Sequence, residues 1–285
     1  MAGLLIGNVV ALLVLSGVYG FSLADLGSVI SNPQGFPDAR GAIVLYQGIV
    51  SVFAFLGGPL LLIKLSEKSI SDYLSPNRFL PLAGLLLTGL LIIAFMPANS
   101  VVINWNTELD LPNFGGFETW ARTKEEQLKV LTEYLTSFST IPQLLLGLVV
   151  FAAIPAIGEE ILFRGIVQRQ LIRWVKNKHV AVWVAAFVFS FIHMQFLGLF
   201  PRMLLGALLG YLYLWSGNIW VPIFGHFVNN GFTVLMLYLR QMQLIEFEIE
   251  STQQMPVVFV IVSILLSAAL LWLVKRLWRP NSAAL

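Results

Sequence analysis

Three polar motifs interrupt the hydrophobic stretches of this chain between residues 144 and 239. The motifs are Glu159-Glu160 followed by Arg164, then His193, then His226 followed by Asn230. A charge at the centre of a membrane-spanning helix costs roughly 3 kcal/mol, so such groups are rare, usually face the interior of a helix bundle and commonly serve function. Glu159 and Glu160 are the only acidic residues inside a hydrophobic segment. We therefore take these six residues as candidates for one shared site.

The spacing of the motifs supports a shared site. Glu160 and Arg164 are four residues apart, on one helical face, and can form an ion pair. His226 and Asn230 share a face in the same way. Glu159 is rotated by about 100° from Glu160, so a pair between Glu160 and Arg164 would leave Glu159 free to act. At a rise of 1.5 Å per residue, the polar side chains lie at similar depths, roughly 8–18 Å from the inner boundary.

The residue types predict water activation. A carboxylate in apolar surroundings can act as a general base near neutral pH, and a histidine can hold the water. A second histidine and an asparagine amide can donate hydrogen bonds to an oxyanion. This chemistry hydrolyses a peptide or ester bond without a covalent intermediate. The HExxH and GxSxG motifs and cysteine are absent from the sequence, which excludes the usual helical zinc pair, the serine elbow and a cysteine nucleophile.

We expect no metal or other cofactor. Zinc bound by Glu159, His193 and His226 is the alternative, because two histidines and one glutamate form a known zinc ligand set. Pro155 and Pro222 each precede a polar motif by four residues. They predict two helix kinks that would make room for water, although proline is also frequent in membrane helices in general.

The composition indicates an all-α, polytopic membrane protein. Of 285 residues, 58% are hydrophobic and 11% are charged, and the mean hydropathy is +0.82, whereas soluble domains carry about 25% charged residues. A span needs about 20 apolar residues, which predicts about eight transmembrane helices around a polar catalytic cavity. The predicted spans are 4–23, 42–63, 79–97, 144–167, 180–197, 199–215, 219–239 and 256–274. No basic and aromatic patch predicts nucleic-acid binding.

The chain divides into a membrane region 1–143, a catalytic core 144–239 and a region 240–285 with the last span and a basic tail. Lysine and arginine in short connections mark the cytoplasmic side of a membrane. They place both termini in the cytoplasm, and we expect a prokaryotic cytoplasmic membrane. The connections that decide this orientation contain Lys64, Lys68, Arg78, Arg169, Arg173, Lys176, Lys178, Lys275, Arg276 and Arg279.

The long loop 98–140 lies on the opposite side. Leu128, Leu131 and Leu135 recur at helical spacing between charged residues, which predicts an amphipathic helix on the outer membrane surface or capping the bundle. Gly206 and Gly210 form a small-xxx-small pattern that predicts close helix packing. Two further polar residues are expected outside the site. Arg202 lies at a span end, where its side chain can reach the interface, and Asn229 is expected to serve ordinary packing.

The ordered motifs EExxxR, FxxxH and HxxxN resemble those of the CAAX endopeptidase and bacteriocin-processing family of intramembrane proteases, whose eukaryotic relatives are the Ras-converting CAAX endopeptidases. Here they read Glu159-Glu160 to Arg164, Phe189 to His193, and His226 to Asn230. The resemblance covers residues 144–239. It implies an eight-helix membrane core and a glutamate-dependent endopeptidase acting on a membrane-associated protein or peptide.

The resemblance also implies individual roles. Glu159 and His193 would hold the nucleophilic water, His226 and Asn230 would form the oxyanion site, and Glu160 with Arg164 would support them. Two alternatives stay open at this point. One is a catalytically silent scaffold or bacteriocin-immunity protein of the same fold, and the other is a transporter that uses the polar cluster as a proton relay.

Overall fold

The computed structural model describes residues 2–22, 25, 27–29, 36, 39–65, 69–75, 79–112, 114–245 and 255–278. Within these residues the regular elements are helices, and no strand is present. The helices are α1 (Ala2–Tyr19), α2 (Ala39–Leu65), α3 (Ile70–Leu74), α4 (Leu82–Thr107), α5 (Phe117–Leu135), α6 (Ile141–Val175), α7 (Lys178–Phe191), α8 (Leu199–Ser216), α9 (Trp220–Gln241) and α10 (Val257–Trp278). Lys68, Arg78 and Arg279, used above for orientation, lie outside the described residues.

Each of the eight predicted spans coincides with a helix. Among the described residues, five helices are long and apolar enough to cross a membrane: α2, α4, α6, α10 and the segment Phe196–Ser216. Two shorter apolar helices are Gly3–Tyr19 and Lys178–Phe191. Helix α9 is not among these, because its histidine and asparagines lower its hydropathy. The protein is therefore a multi-pass, all-helical membrane protein, and the count of eight crossings stays a prediction.

Helix α4 is longer than predicted, because a hydroxyl of a neighbouring helix satisfies the backbone groups next to a proline. The predicted span ended at residue 97, where Pro97 removes a backbone donor. In the structure, the Ala98 amide donates to Ser263 Oγ at 2.9 Å, and that hydroxyl donates to the Ala94 carbonyl. Ser263 of α10 thus fills the gap in the usual i to i−4 ladder. The helix continues to Thr107, and the outer loop begins at Glu108 instead of Ala98.

The break between the fifth and sixth helices lies earlier than predicted. Helix α7 ends at Phe191, and Pro201 lies in the first turn of α8, a position that tolerates proline. The chain reverses through Met194, whose φ is 55°. His193 therefore lies in residues 192–198, which we call the 192–198 connection, and not within a helix as predicted.

A buried asparagine holds the 192–198 connection against α4. The Asn106 amide donates to the Phe196 carbonyl at 3.0 Å, and Asn106 Oδ1 accepts from the Phe200 amide at 2.8 Å. In a continuous helix, the Phe200 amide would bond to the Phe196 carbonyl directly. Asn106 is inserted between these two groups and satisfies both. The backbone next to His193 is therefore fixed by a side chain 90 residues away from Phe196 in sequence.

The amphipathic helix predicted in the outer loop is present as α5, and it caps the bundle. Its start packs against the 192–198 connection, where the rings of Phe117 and Trp120 lie 5.1 and 6.2 Å from the ring of Phe196. Its end is held by α2, because Arg40 Nε donates to the Leu135 carbonyl at 3.1 Å. These contacts agree with the capping alternative stated above.

Candidate active site

The buried carboxylate of Glu160 joins helices α6 and α9. Its Oε1 atom accepts a hydrogen bond from Arg164 Nη1 at 2.7 Å and lies 2.8 Å from His226 Nδ1. Glu160, Arg164 and His226 are 0%, 1% and 3% exposed. The predicted ion pair between Glu160 and Arg164 is confirmed. Because a carboxylate only accepts, His226 Nδ1 carries the hydrogen in this contact, and the tautomer follows from the hydrogen-bond network.

The two glutamates contact opposite nitrogens of one imidazole. Glu159 Oε2 lies 3.8 Å from His226 Nε2, while Glu160 occupies Nδ1. The Glu159 side chain is 13% exposed and the Glu160 side chain is fully buried. This arrangement agrees with the different roles predicted from their rotation about the helix axis. Glu160 is already bonded to two donors, and Glu159 is the carboxylate with access to a further molecule.

Arg164 has hydrogen-bond and ring contacts in addition to its ion pair with Glu160. Its Nη2 atom donates to the Gly206 carbonyl at 2.8 Å, and its guanidinium carbon lies 4.9 Å from the ring centre of Phe189. One turn later, Gln168 Nε2 donates to the Gly210 carbonyl at 3.0 Å. A Cβ atom at Gly210 would lie 2.8 Å from Gln168 Oε1. The two glycines therefore allow the close packing that was predicted, and they also expose their carbonyls to side chains of α6.

Phe189 of α7 connects His193 to the rest of the site. The rings of His193 and His226 both meet Phe189 at a steep angle, with centroid distances of 5.2 and 6.1 Å. His193 Nδ1 lies 2.8 Å from the Phe189 carbonyl. A hydrogen on Nδ1 would occupy this bond and leave Nε2 free to accept from a water molecule. His193 itself is half-buried.

The irregular backbone of α6 explains the position of Asn230. Two π-helical segments, Leu148–Ala153 and Ile161–Gln168, flank the turn that carries the glutamates, and such segments occur often at functional sites. Pro155 lacks the amide hydrogen that would bond to the Phe151 carbonyl. Asn230 Nδ2 donates to that carbonyl at 3.3 Å. Asn230 therefore supports the interrupted helix, one turn along α9 from His226.

The predicted role of Pro222 is corrected. Pro222 lies in the first turn of α9, which begins at Trp220, and the first turn needs no intrahelical amide donor. It therefore marks a helix start and makes no kink beside His226. Asn229 also differs from the expectation of ordinary packing, because its Nδ2 atom donates to Asn230 Oδ1 at 3.1 Å. This bond fixes which way the Asn230 amide faces.

The sequence reasoning missed Arg202. It was expected to reach the membrane interface, but its guanidinium Nη2 donates to Gln195 Oε1 at 2.7 Å. Its charge interacts favourably with Glu125 of α5 and with Glu159. Burial raises the pKa of Glu125, against the opposing effects of Arg202 and the Leu197 amide. The available signal was the position of this arginine within the predicted span 199–215.

The structure brings Glu159, Glu160, Arg164 and His226 into one cluster, with His193 linked through Phe189. In the part of the chain that the structure describes, no group of three or more His, Cys, Asp or Glu side chains could hold a metal ion. The zinc alternative would require His193, Glu159 and His226 to come closer together than they are in this arrangement. Metal independence stays a prediction.

Three described cavities, of about 300, 560 and 350 Å³, are lined by residues other than the six candidates. The first is almost entirely apolar and lies between α4, α6 and α9, beside Ala156 and Ile157 of the turn that precedes the glutamates. A polar cavity around the six residues therefore stays a prediction.

Comparisons with known proteins agree with the sequence motifs. Residues 141–232, which include all six candidate residues, match the family model described as Type II CAAX prenyl endopeptidase Rce1-like. The chain is also 31% identical over 80 residues to the uncharacterized protein YpbD of Bacillus subtilis (strain 168). That alignment covers 27% of this chain and 38% of the relative, so the chain spans about two fifths of the relative's length. No solved structure gives a significant match. The resemblance to the CAAX endopeptidase family is confirmed over residues 141–232.

Proposed function

We propose that this chain, whose residues 141–232 match the CAAX prenyl endopeptidase family, is an intramembrane endopeptidase that hydrolyses a peptide bond with activated water. The observation that carries the proposal is the pair of glutamates on opposite nitrogens of His226, with Glu160 neutralised by Arg164. The core is residues 144–239, flanked by 1–143 and 240–285. Eight helices cross a prokaryotic cytoplasmic membrane, and both termini are cytoplasmic.

Glu159 is the general base of the proposed reaction. The Glu159 side chain is 13% exposed, and its carboxylate lies 3.8 Å from His226 Nε2. The Glu160 carboxylate is bound more closely, with Arg164 Nη1 at 2.7 Å. A water between Glu159 and Nε2 of His193 gives one proton to the Glu159 carboxylate. The water oxygen forms a bond to the carbonyl carbon of the substrate, and the carbonyl electron pair moves to its oxygen. A base positioned within hydrogen-bond reach typically contributes about 10²–10⁴-fold to the rate.

His226 and Asn230 stabilise the resulting oxyanion. With the Nδ1 hydrogen donated to Glu160, a second proton on Nε2 makes His226 a cationic donor that faces the side of Glu159. Two carboxylates, one guanidinium and one imidazolium then form a neutral cluster, which lowers the cost of burial. The Asn230 amide has two hydrogens and bonds the Phe151 carbonyl with Nδ2, so one remains for the substrate.

The intermediate breaks down when Glu159 returns the proton to the leaving amine nitrogen. The carbon–nitrogen bond breaks, and the products are a peptide with a new carboxyl terminus and a peptide with a new amino terminus. No metal takes part. The substrate is a membrane-associated protein or peptide, because the site lies among membrane helices and is reached from the membrane.

The test compares peptide termini in membranes of cells that produce the wild type, Glu159→Gln or Glu126→Gln. Glu126 is an exposed glutamate of α5 and serves as the matched control. New termini should appear with the wild type and the control and should be lost with Glu159→Gln, which keeps the side-chain shape. The same new peptide termini in the same amounts in all three membranes would overturn the proposal. Retained biological output without cleavage would favour a silent scaffold, and proton-coupled solute flux lost in Glu159→Gln would favour a transporter.

A further inference from the structure

Arg202 is a partly buried cation beside the candidate site with an unused donor. Its Nη2 atom donates to Gln195, but its Nη1 atom is buried and has no hydrogen-bond partner. Its charge interacts with Glu125 and Glu159, yet within the described residues no ion pair is formed with either carboxylate. An arginine presents five hydrogen donors and stays charged in proteins. The buried Nη1 group therefore has no acceptor among the described residues.

The contrast with Arg164 makes this feature specific. Arg164 donates to the Glu160 carboxylate and to the Gly206 carbonyl and stacks on Phe189. Arg202 belongs to the same region but has one side-chain acceptor, the amide oxygen of Gln195. Leaving a buried charged donor unpaired is costly. An acceptor supplied from outside the chain would remove that cost, and a negatively charged acceptor would also pair with the guanidinium charge.

Arg202 and His193 are positioned by the same piece of backbone. Gln195, which binds the guanidinium, lies two residues after His193 in the 192–198 connection. Gly198 lies against the guanidinium, since a Cβ there would be 3.2 Å from Nη2. Asn106 fixes the end of this connection. A ligand held by Arg202 would consequently lie beside the histidine that is proposed to hold the water.

We propose that Arg202 binds a carboxylate of the peptide substrate and thereby selects which peptide bond reaches Glu159. The planar fork of a guanidinium matches the two oxygens of a carboxylate. Its single positive charge matches a single negative charge, and Gln195 holds the fork in place. The carboxylate is either the C-terminus of the substrate or an acidic side chain near the cleaved bond. This inference rests on the proposed endopeptidase function.

The experiment uses the full-length protein in phosphatidylcholine vesicles and one peptide cut by the wild type. The peptide is prepared as the free acid, as the C-terminal amide and with its acidic side chains changed to amides. KM and kcat are measured for the wild type, Arg202→Gln and Arg202→Lys. Arg173→Gln, at an exposed arginine of α6, is the control. Repeating the assay with phosphatidylglycerol in the vesicles separates a substrate carboxylate from a lipid phosphate.

Removing the recognised carboxylate should raise the wild-type KM about tenfold to a hundredfold, the range for a charge-assisted hydrogen bond, with little change in kcat. Arg202→Gln should raise KM to the same extent for the acid only, so that acid and amide become equivalent. Arg202→Lys should retain part of the preference, and Arg173→Gln should behave as the wild type. The change of peptide tests the inference in the wild type even if a variant fails to fold.

Several outcomes would overturn the inference. One is a wild type that cleaves every peptide form equally, which would leave the endopeptidase proposal intact. Another is an equal loss against acid and amide in Arg202→Gln, which indicates a structural role. A dependence on phosphatidylglycerol instead of on the peptide would assign Arg202 to a lipid. Absence of any cleavage that depends on Glu159 would remove both the inference and the proposed function.

Discussion

The Glu160 carboxylate and the His226 imidazole are 2.8 Å apart, although the two residues are separated by 66 positions in sequence. The contact ties α6 to α9 inside the helix bundle. Because the same oxygen also accepts from Arg164, Glu160 acts as the common partner of two donors. It orients the imidazole so that Nε2 faces Glu159. This geometry supports the proposal that Glu160 positions the site and that Glu159 is the base.

Replacing Glu160 by glutamine should destabilise the fold more than replacing Glu159. The Glu160→Gln variant leaves the buried Arg164 charge unpaired, and removing one partner of a buried ion pair costs about 3–5 kcal/mol. Glu159→Gln removes a partly exposed carboxylate and should leave the unfolding temperature close to that of the wild type. Thermal unfolding in one detergent compares the two isosteric variants. A Glu160→Gln protein as stable as Glu159→Gln would contradict the assigned support role.

Asn106 should be required for the position of His193. Asn106→Ala orphans the Phe196 carbonyl and the Phe200 amide, and each unsatisfied buried group costs about 1–3 kcal/mol. Hydrogen exchange in residues 192–200 should accelerate, and kcat should fall more than KM changes. The control is Thr107→Ala, which removes a hydroxyl bonded only to the local backbone of α4. Unchanged exchange in 192–200 after Asn106→Ala would show that the connection is held by other contacts.

The sequence predicted contacts within a helix better than contacts between helices. The four-residue spacing is sufficient for the pair of Glu160 and Arg164, and hydrophobic run length is sufficient to locate the helices. The bond from Glu160 to His226 depends on how α6 and α9 pack. Residue spacing along one helix does not determine that packing. The kink at Pro222 was predicted wrongly, because the predicted span already began at residue 219 and a proline in the first turn of a helix removes no intrahelical hydrogen bond.

The predicted ends of α4 and α7 were wrong for a related reason, because contacts with other helices decide where these segments end. Pro97 would favour a helix end, but Ser263 accepts the hydrogen bond of the Ala98 amide, and α4 continues. Ser263 lies 165 residues from Ala98. Conversely, the mostly apolar sequence up to residue 197 hides the end of α7 at Phe191, and the connection that follows is held by Asn106 of α4. Arg202 was assigned to the interface because its partners lie in the 192–198 connection and in α5. These are tertiary interactions, and they override local signals.

Docking of α5 should weaken as pH rises. Burial raises the pKa of Glu125 above its ordinary value of 4.5, so the docked helix favours the protonated form. The stabilising contribution is complete below pH 4.5 and is lost as pH rises through the raised pKa. Hydrogen exchange of residues 117–135, corrected for intrinsic rates, should show this trend in the wild type and in Glu126→Gln. Glu125→Gln should remove it. Tighter docking at higher pH in the wild type would contradict the prediction.

The orientation in the membrane is tested with reporter fusions. The distribution of lysine and arginine predicts that the loop after α4 and the turn after α6 lie on opposite sides. Asn99, a natural choice from sequence, lies inside α4, so the first fusion belongs after Asp110. The second belongs after Lys178, next to the basic turn. A periplasmic-type signal from the first and a cytoplasmic-type signal from the second is expected. The same compartment for both would refute the topology.

The most direct measurement is cleavage of one substrate peptide by purified protein in vesicles after treatment with a strong chelator. We expect the wild type to cleave at an undiminished rate. We expect Glu159→Gln to form no product above the uncatalysed background while it unfolds at the wild-type temperature. Cleavage by Glu159→Gln at the wild-type rate would contradict the assignment of the base. Loss of wild-type activity on chelation, with recovery on adding zinc, would contradict metal independence and make Glu159, His193 and His226 zinc ligands.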